Sequence, residues 1–137
     1  MLIGVDLDEV LADFMPQLLR YYNKKYSRNL IKEQIYTYDL WHVWDCAKNE
    51  AINLVYDFYQ TELFKNIKPI LGSQEGIENL SKNNDLVVIT ARPDEIYQET
   101  SEWLNQYFRD KFKEIYFANT FSRNGIPKKK SDICKEL

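Results

Sequence analysis

Three short apolar runs stand out in the pattern of hydrophobic and polar positions, at residues 2–5, 86–90 and 115–118. Such short runs, bounded by polar residues, are typical of buried strands. Between and after them, apolar side chains recur at helical spacing, over residues 15–25, 48–64, 73–82, 94–108 and 130–137. Strands that alternate with helices predict an α/β fold with a parallel sheet.

One long insertion interrupts this alternation. Residues 15–68 separate the first strand from the next helix and strand, and most of their pattern is helical. Residues 30–45 are rich in aromatic side chains without a clear period, and we predict a short helix and a loop there. Pro69 and Gly72 mark the exit from the insertion. We therefore predict a core of residues 1–14 and 69–137 with a helical insert of residues 15–68.

Size and charge narrow the classes of partner. The chain has 137 residues, the size of one domain. Its net charge is −3, so it lacks the overall positive charge that is typical of proteins that bind a nucleic acid polymer. No apolar run approaches the roughly 18 residues of a membrane-spanning helix. Cys46 and Cys134 have no motif spacing, and we expect reduced thiols in a cytoplasmic protein.

Two carboxylates, Asp6 and Asp8, follow the first strand directly. Residues two apart in a strand share a face, so these two acids would lie close together and repel each other. The carboxyl ends of strands in open α/β sheets are where ligands bind. Mg²⁺ prefers hard oxygen ligands of this kind. The alternative is a pair of exposed acids in an ordinary loop.

A hydroxyl and an ammonium group complete a candidate site. Thr90 ends the second strand, Ala91 opens the tight turn that follows, and Lys130 lies near the start of the last helix. A carboxylate nucleophile with a hydroxyl and an ammonium suits phosphoryl transfer, where positioning and charge neutralisation supply most of the catalysis. Each residue alone is ambiguous, because Thr90 can simply end a strand and Lys130 can be a surface lysine.

Four stretches of the chain together resemble a known superfamily. They are residues 6–14 (DLDEVLADF), 63–72 (LFKNIKPILG), 87–93 (VVITARP) and 130–134 (KSDIC). The chain resembles the haloacid dehalogenase superfamily on its phosphatase side, in the 5′(3′)-deoxyribonucleotidase-like branch. The resemblance implies a Rossmann-like parallel sheet with a helical cap formed by residues 15–68.

The resemblance also implies a reaction, the Mg²⁺-dependent hydrolysis of small phosphate monoesters such as nucleoside 5′-monophosphates. Asp6 matches the nucleophile, which forms an aspartyl-phosphate. Asp8 matches the general acid and base. The carboxylate of Asp6 and the backbone carbonyl of Asp8 would bind Mg²⁺.

The resemblance assigns phosphate binding to Thr90 and Ala91 together with a lysine. Lys130 matches that lysine best, and Lys128 and Lys129 remain alternatives in register.

Three aromatic residues of the chain, Phe14, Trp41 and Trp44, are candidates to stack on a nucleobase in such a cap. The alternative for these rings is packing inside the cap itself.

The family pattern continues past the position of Leu137, with another strand and paired aspartates that bind the metal. We therefore expect a sheet that lacks its last strand or strands, with the first strand at an open edge where a second copy can pair. A truncated or degenerate protein that binds a phosphate ligand or a partner without turnover is the alternative function.

Overall fold

The computed structural model describes residues 1–137, and the chain divides into two compact units. Met1–Ala12 and Pro69–Leu137 form the first, called here the sheet unit, and Asp13–Lys68 form the second, called the helical unit. Three strands and seven α-helices follow one another along the chain: β1 (Leu2–Val5), α1 (Phe14–Tyr26), α2 (Leu40–Trp44), α3 (Lys48–Tyr59), α4 (Glu62–Lys65), α5 (Ser73–Ser81), β2 (Asp85–Thr90), α6 (Tyr97–Tyr107), β3 (Ile115–Phe117) and α7 (Lys130–Glu136). None of these helices combines the length and the apolar character that crossing a membrane requires.

The sheet unit contains one parallel sheet with the strand order β1-β2-β3. Val5 of β1 lies opposite Val88 of β2, and Thr90 of β2 lies opposite Phe117 of β3. The carboxyl ends of all three strands therefore meet at one edge of the sheet. β1 is an outer strand, as expected from the sequence.

The core of the sheet unit is built around the central strand β2, in which every residue after the first is buried. Val87 and Ile89 form a cluster with Ala118, which follows β3, and with Ile133 of α7. Gly4 allows β1 to approach this layer, because a Cβ atom on Gly4 would lie 2.7 Å from Cδ1 of Ile89. The cluster fixes α7 against the sheet and so determines where the first residue of that helix lies.

The helical unit is held together largely by aromatic rings. Phe58 of α3 is fully buried and packs edge to face with Phe14 and Phe64, at centroid distances of 5.5 and 5.6 Å. Tyr22 of α1 stacks on Trp44 of α2 at 4.7 Å. Stacked and edge-to-face ring pairs stabilise a fold by more than the burial of their apolar area alone.

The helical pattern predicted over residues 48–64 is divided between two helices. α3 ends at Tyr59 and α4 begins at Glu62, with Thr61 as the N-cap between them. The Thr61 hydroxyl accepts a hydrogen bond from the Phe64 N–H and donates one to the Phe58 carbonyl. A threonine that bonds both flanking helices favours a break over a continuous helix.

Candidate active site

A tight loop follows β1 and sets the direction of both acids. The Leu7 carbonyl accepts hydrogen bonds from the N–H groups of Leu11 and Ala12, at 2.8 and 2.9 Å. Leu7 is fully buried, while 43% of the Asp6 side chain and 25% of the Asp8 side chain are exposed. Because side chains alternate along an extended segment, burying Leu7 directs its two acidic neighbours to the opposite face.

The Asp6 carboxylate contacts a lysine from the far end of the chain. Its Oδ1 lies 2.7 Å from Lys130 Nζ and accepts a hydrogen bond from the Leu7 N–H at 2.8 Å. Both contacts are to Oδ1, so the other oxygen, Oδ2, takes part in neither. The carboxylate therefore has one oxygen held in place and one available for chemistry.

The structure distinguishes the three adjacent lysines. Lys130 is the first residue of α7, and Lys129 is its N-cap. Lys128 Nζ instead pairs with Glu136 at the other end of the helix, at 2.5 Å. Lys130 is thus the lysine that lies beside Asp6.

The Asp8 carboxylate is held by an arginine to which the sequence analysis assigned no role. Arg92 Nε lies 2.9 Å from Oδ2, and Arg92 Nη2 lies 2.7 Å from Oδ1. Arg92 is only 4% exposed, and its Nη1 donates a third hydrogen bond to the Thr100 hydroxyl at 3.1 Å. The only signal for Arg92 in the sequence is a cation two residues after the end of a predicted strand.

Thr90 and Ala91 lie at the same edge of the sheet as the acids. The register of β1 and β2 puts Asp6 one residue beyond Val5, and Thr90 two residues beyond the partner of Val5. Thr90 is buried, and its hydroxyl oxygen accepts a hydrogen bond from the Arg92 N–H at 3.2 Å. As an acceptor in that bond, the hydroxyl keeps its own proton to donate.

The charges of this cluster balance. Two carboxylates, Asp6 and Asp8, each contact their own cation, Lys130 and Arg92 respectively. An opposite charge beside each acid reduces the repulsion between the two carboxylates. The repulsion predicted from the spacing of the two acids is therefore offset by side chains of the protein itself.

The donor chemistry also fits Mg²⁺. The Asp6 carboxylate and the Asp8 carbonyl are hard oxygens two residues apart in the chain, and Mg²⁺ commonly binds one or two carboxylates and keeps several waters. No group of three or more His, Cys, Asp or Glu side chains is arranged to hold a metal. The residues present would thus suit an ion that takes most of its ligands from water and from substrate phosphate.

The three aromatic candidates belong to the helical unit and differ in exposure. Phe14 and Trp44 are buried, and their rings pack on Phe58 and Tyr22. Trp41 is partly exposed, with Lys48 Nζ 5.3 Å from its ring centroid. Packing accounts for the first two rings, and Trp41 is the partly exposed residue of the three.

The two cysteines are not linked to each other. Cys46 and Cys134 are both free thiols, as expected. Burial raises the pKa of the Cys46 thiol, and the nearby carboxylates of Glu50 and Asp45 raise it further. A raised pKa lowers the fraction of thiolate, which is the nucleophilic form.

This parallel sheet, with its acidic loop after β1, has the fold of the haloacid dehalogenase superfamily. A haloacid dehalogenase-like hydrolase from Streptococcus pneumoniae superposes with a TM-score of 0.70 at 16% identity, over 98% of this chain and 67% of that one. A hydrolase of the same type from Bacillus subtilis, solved bound to magnesium, gives a TM-score of 0.54 at 18% identity, over 86% of this chain and 65% of that one. Identities this low show the fold alone.

Within the superfamily, the chain belongs to the family described as 5′ nucleotidase, deoxy (Pyrimidine), cytosolic type C protein, whose model matches residues 1–120. A 5′(3′)-deoxyribonucleotidase of Bacillus subtilis is 34% identical over 110 residues, which are 77% of this chain and 60% of that protein. The predicted superfamily and branch are thus confirmed, as is the Rossmann-like fold class. The chain spans about 60% of the length of this curated relative.

Proposed function

We propose that this protein is an Mg²⁺-dependent phosphatase of small phosphate monoesters, with nucleoside 5′-monophosphates as its substrate class. The observation that carries the proposal is the pair of acids after β1, with Lys130 Nζ 2.7 Å from Asp6 Oδ1. The name of the Bacillus subtilis relative supports a nucleotide substrate.

In the first step, Asp6 Oδ2 attacks phosphorus and forms an aspartyl-phosphate. The bond from phosphorus to the ester oxygen breaks, and Asp8 donates a proton to that oxygen, so the alcohol leaves neutral. In the second step, Asp8 takes a proton from water, whose oxygen attacks phosphorus and releases Asp6 and inorganic phosphate.

The remaining groups hold the phosphoryl oxygens. The Lys130 ammonium neutralises charge on the phosphoryl group, and the Thr90 hydroxyl and the Ala91 N–H donate hydrogen bonds to it. Bound Mg²⁺, held by the Asp6 carboxylate and the Asp8 carbonyl, would supply further charge neutralisation. Preorganised charges of this kind are usually the largest contribution to the rate.

We propose that the helical unit contacts the nucleobase, the role that the resemblance to the family implies for it. Trp41 is the preferred stacking residue because, of the three, it alone is partly exposed. Phe14 and Trp44 are then structural, because their rings pack within the unit.

A second candidate is a protein that binds a phosphate ligand, or a partner chain, without turnover. It is favoured by the small number of metal ligands. These are the Asp6 carboxylate and the Asp8 carbonyl, and no three acidic, histidine or cysteine side chains are grouped to hold a metal. The outer strand β1 would be the surface for a second copy, because one of its edges has no neighbouring strand.

The test is phosphate release from a panel of nucleoside monophosphates and an aryl phosphate, with Mg²⁺ and with a chelator. The variant is Asp6→Asn, and the matched control is Asp85→Asn, an exposed aspartate of the same unit that pairs with Lys113. We expect metal-dependent turnover in the wild type and in the control, and none in Asp6→Asn. The exposed pair of Asp6 with Lys130 contributes about 0–1 kcal/mol, so the variant should fold normally.

Turnover by Asp6→Asn at the wild-type rate would exclude Asp6 as the nucleophile. The absence of turnover from folded wild type, combined with stabilisation by a nucleotide, would favour the binding protein. A ligand present at about 100 times its dissociation constant should then raise the free energy of unfolding by about 2.7 kcal/mol.

A further inference from the structure

We propose that Arg92 is a positioning residue for the general acid and base Asp8. Its guanidinium holds both carboxylate oxygens, at 2.9 and 2.7 Å, and so sets the direction in which Asp8 exchanges protons. This inference rests on the proposed function, because it assigns a role within that reaction.

The geometry is that of a two-point clamp. Nε and Nη2 of one planar guanidinium bond to the two oxygens of one carboxylate. Such bidentate pairs fix the carboxylate plane as well as its distance, which a lysine cannot do. The plane of Asp8 therefore follows the plane of Arg92.

Arg92 is itself held from three sides. Its Nη1 donates to the hydroxyl of Thr100, a fully buried residue of α6. Its backbone N–H donates to the Thr90 hydroxyl at the end of β2, and its carbonyl accepts from the Asn119 N–H after β3. With its guanidinium bonded to α6 and its backbone bonded to residues at the end of β2 and after β3, Arg92 provides a fixed reference for Asp8.

The clamp leaves Asp8 able to react. A carboxylate has about four lone-pair sites, two on each oxygen, and Arg92 occupies one on each. The Asp8 side chain is also 25% exposed. With the plane fixed, the remaining lone pairs point in set directions, and one of them can meet the leaving oxygen or the attacking water. A misplacement of about 1 Å can cost about 10²-fold in rate.

The test compares two substrates that differ in their need for the acid. The alcohol released from a nucleoside monophosphate is a poor leaving group and must be protonated as it leaves. The 4-nitrophenolate released from 4-nitrophenyl phosphate is a stable anion and leaves without a proton. The measured quantity is kcat/KM, which reports the steps up to the first irreversible one. The variants are Arg92→Met and Arg92→Lys, and Arg109→Met, at an exposed arginine after α6, is the control.

We expect Arg92→Met to lose about 10²-fold in kcat/KM on the nucleotide and much less on the aryl phosphate, since general acid catalysis contributes about 10²–10⁴-fold. Arg92→Lys should recover part of the loss, because an ammonium can contact one carboxylate oxygen. Arg109→Met should match the wild type on both substrates. Equal losses on the two substrates, or no loss, would overturn the positioning role.

A milder variant keeps the test informative if Arg92→Met fails to fold. Thr100→Val keeps the side-chain shape and removes only the acceptor of Arg92 Nη1, so it should show the same selectivity for the nucleotide with a smaller loss. If Arg92→Met does not fold, Thr100→Val and Arg92→Lys decide the question, and equal losses on both substrates in these variants would count against the proposal.

A double-mutant cycle, measured by thermal unfolding, separates this inference from the proposed function. The midpoint of unfolding is measured for wild type, Arg92→Met, Asp8→Asn and the double variant, and we expect clearly non-additive shifts. Wild type without turnover would overturn the proposed function and the positioning role together, whatever the cycle shows. Active wild type with additive shifts would overturn only the clamp between Arg92 and Asp8.

Discussion

The two units of this protein are stabilised by different kinds of contact. In the sheet unit, the site consists of charged pairs, Asp6 with Lys130 and Asp8 with Arg92, and both carboxylates are partly exposed. In the helical unit, rings surround Phe58, which is fully buried. Partly exposed ion pairs contribute little to stability, while buried aromatic rings contribute much. We therefore expect substitutions in the partly exposed pair of Asp6 with Lys130 to change turnover, and substitutions among the rings to change stability.

The largest expected effect is on the stability of the helical unit. Phe58→Ala removes the ring that packs on Phe14 and Phe64, and it should lower the free energy of unfolding by about 3–5 kcal/mol, as for other buried phenylalanines. Phe58→Leu, which keeps most of the apolar volume, should cost clearly less. Urea unfolding followed by tryptophan fluorescence measures both. A loss below about 1 kcal/mol for Phe58→Ala would place it in the range of ordinary surface substitutions and contradict the comparison.

The next effect is on turnover, in the sheet unit. Lys130→Met removes the ammonium 2.7 Å from Asp6, and we expect kcat/KM to fall by about 10²–10³-fold, as for the loss of one preorganised donor. The thermal midpoint should barely move, because both side chains are partly exposed. The matched control is Lys128→Met, which removes an ion pair with Glu136 away from Asp6. Steady-state kinetics that show equal losses in the two variants would contradict the assignment of Lys130.

The sequence predicted most of the fold because its strands are strongly apolar and its helices periodic. β2 was expected at residues 86–90 and is found at Asp85–Thr90, and α7 was expected to start at residue 130. The break between α3 and α4 was missed, because Thr61 acts through local hydrogen bonds that hydrophobic periodicity does not report.

The candidate site was predicted less completely, and the difference has a physical cause. Asp6 and Asp8 are visible because two acids directly after an apolar strand are unusual. Arg92 was missed because its role depends on a contact across 84 positions of the chain, with Asp8. The choice of Lys130 over its neighbours likewise required the packing of Ile133, which fixes the phase of α7.

The smallest expected effect is on KM for nucleotides. It tests whether the helical unit contacts substrate in addition to packing its own rings. Trp41→Ala removes the partly exposed ring and should raise KM for nucleoside monophosphates by an amount equivalent to about 1–3 kcal/mol of base stacking. KM for ribose 5-phosphate, which has no base, should not change, and kcat should stay near the wild-type value. Trp44→Phe is the matched control, because Trp44 is buried against Tyr22. That control should lower the thermal midpoint and leave KM for nucleotides unaltered. The opposite result, with KM sensitive to Trp44 and not to Trp41, would mean that the buried rings become accessible when substrate binds.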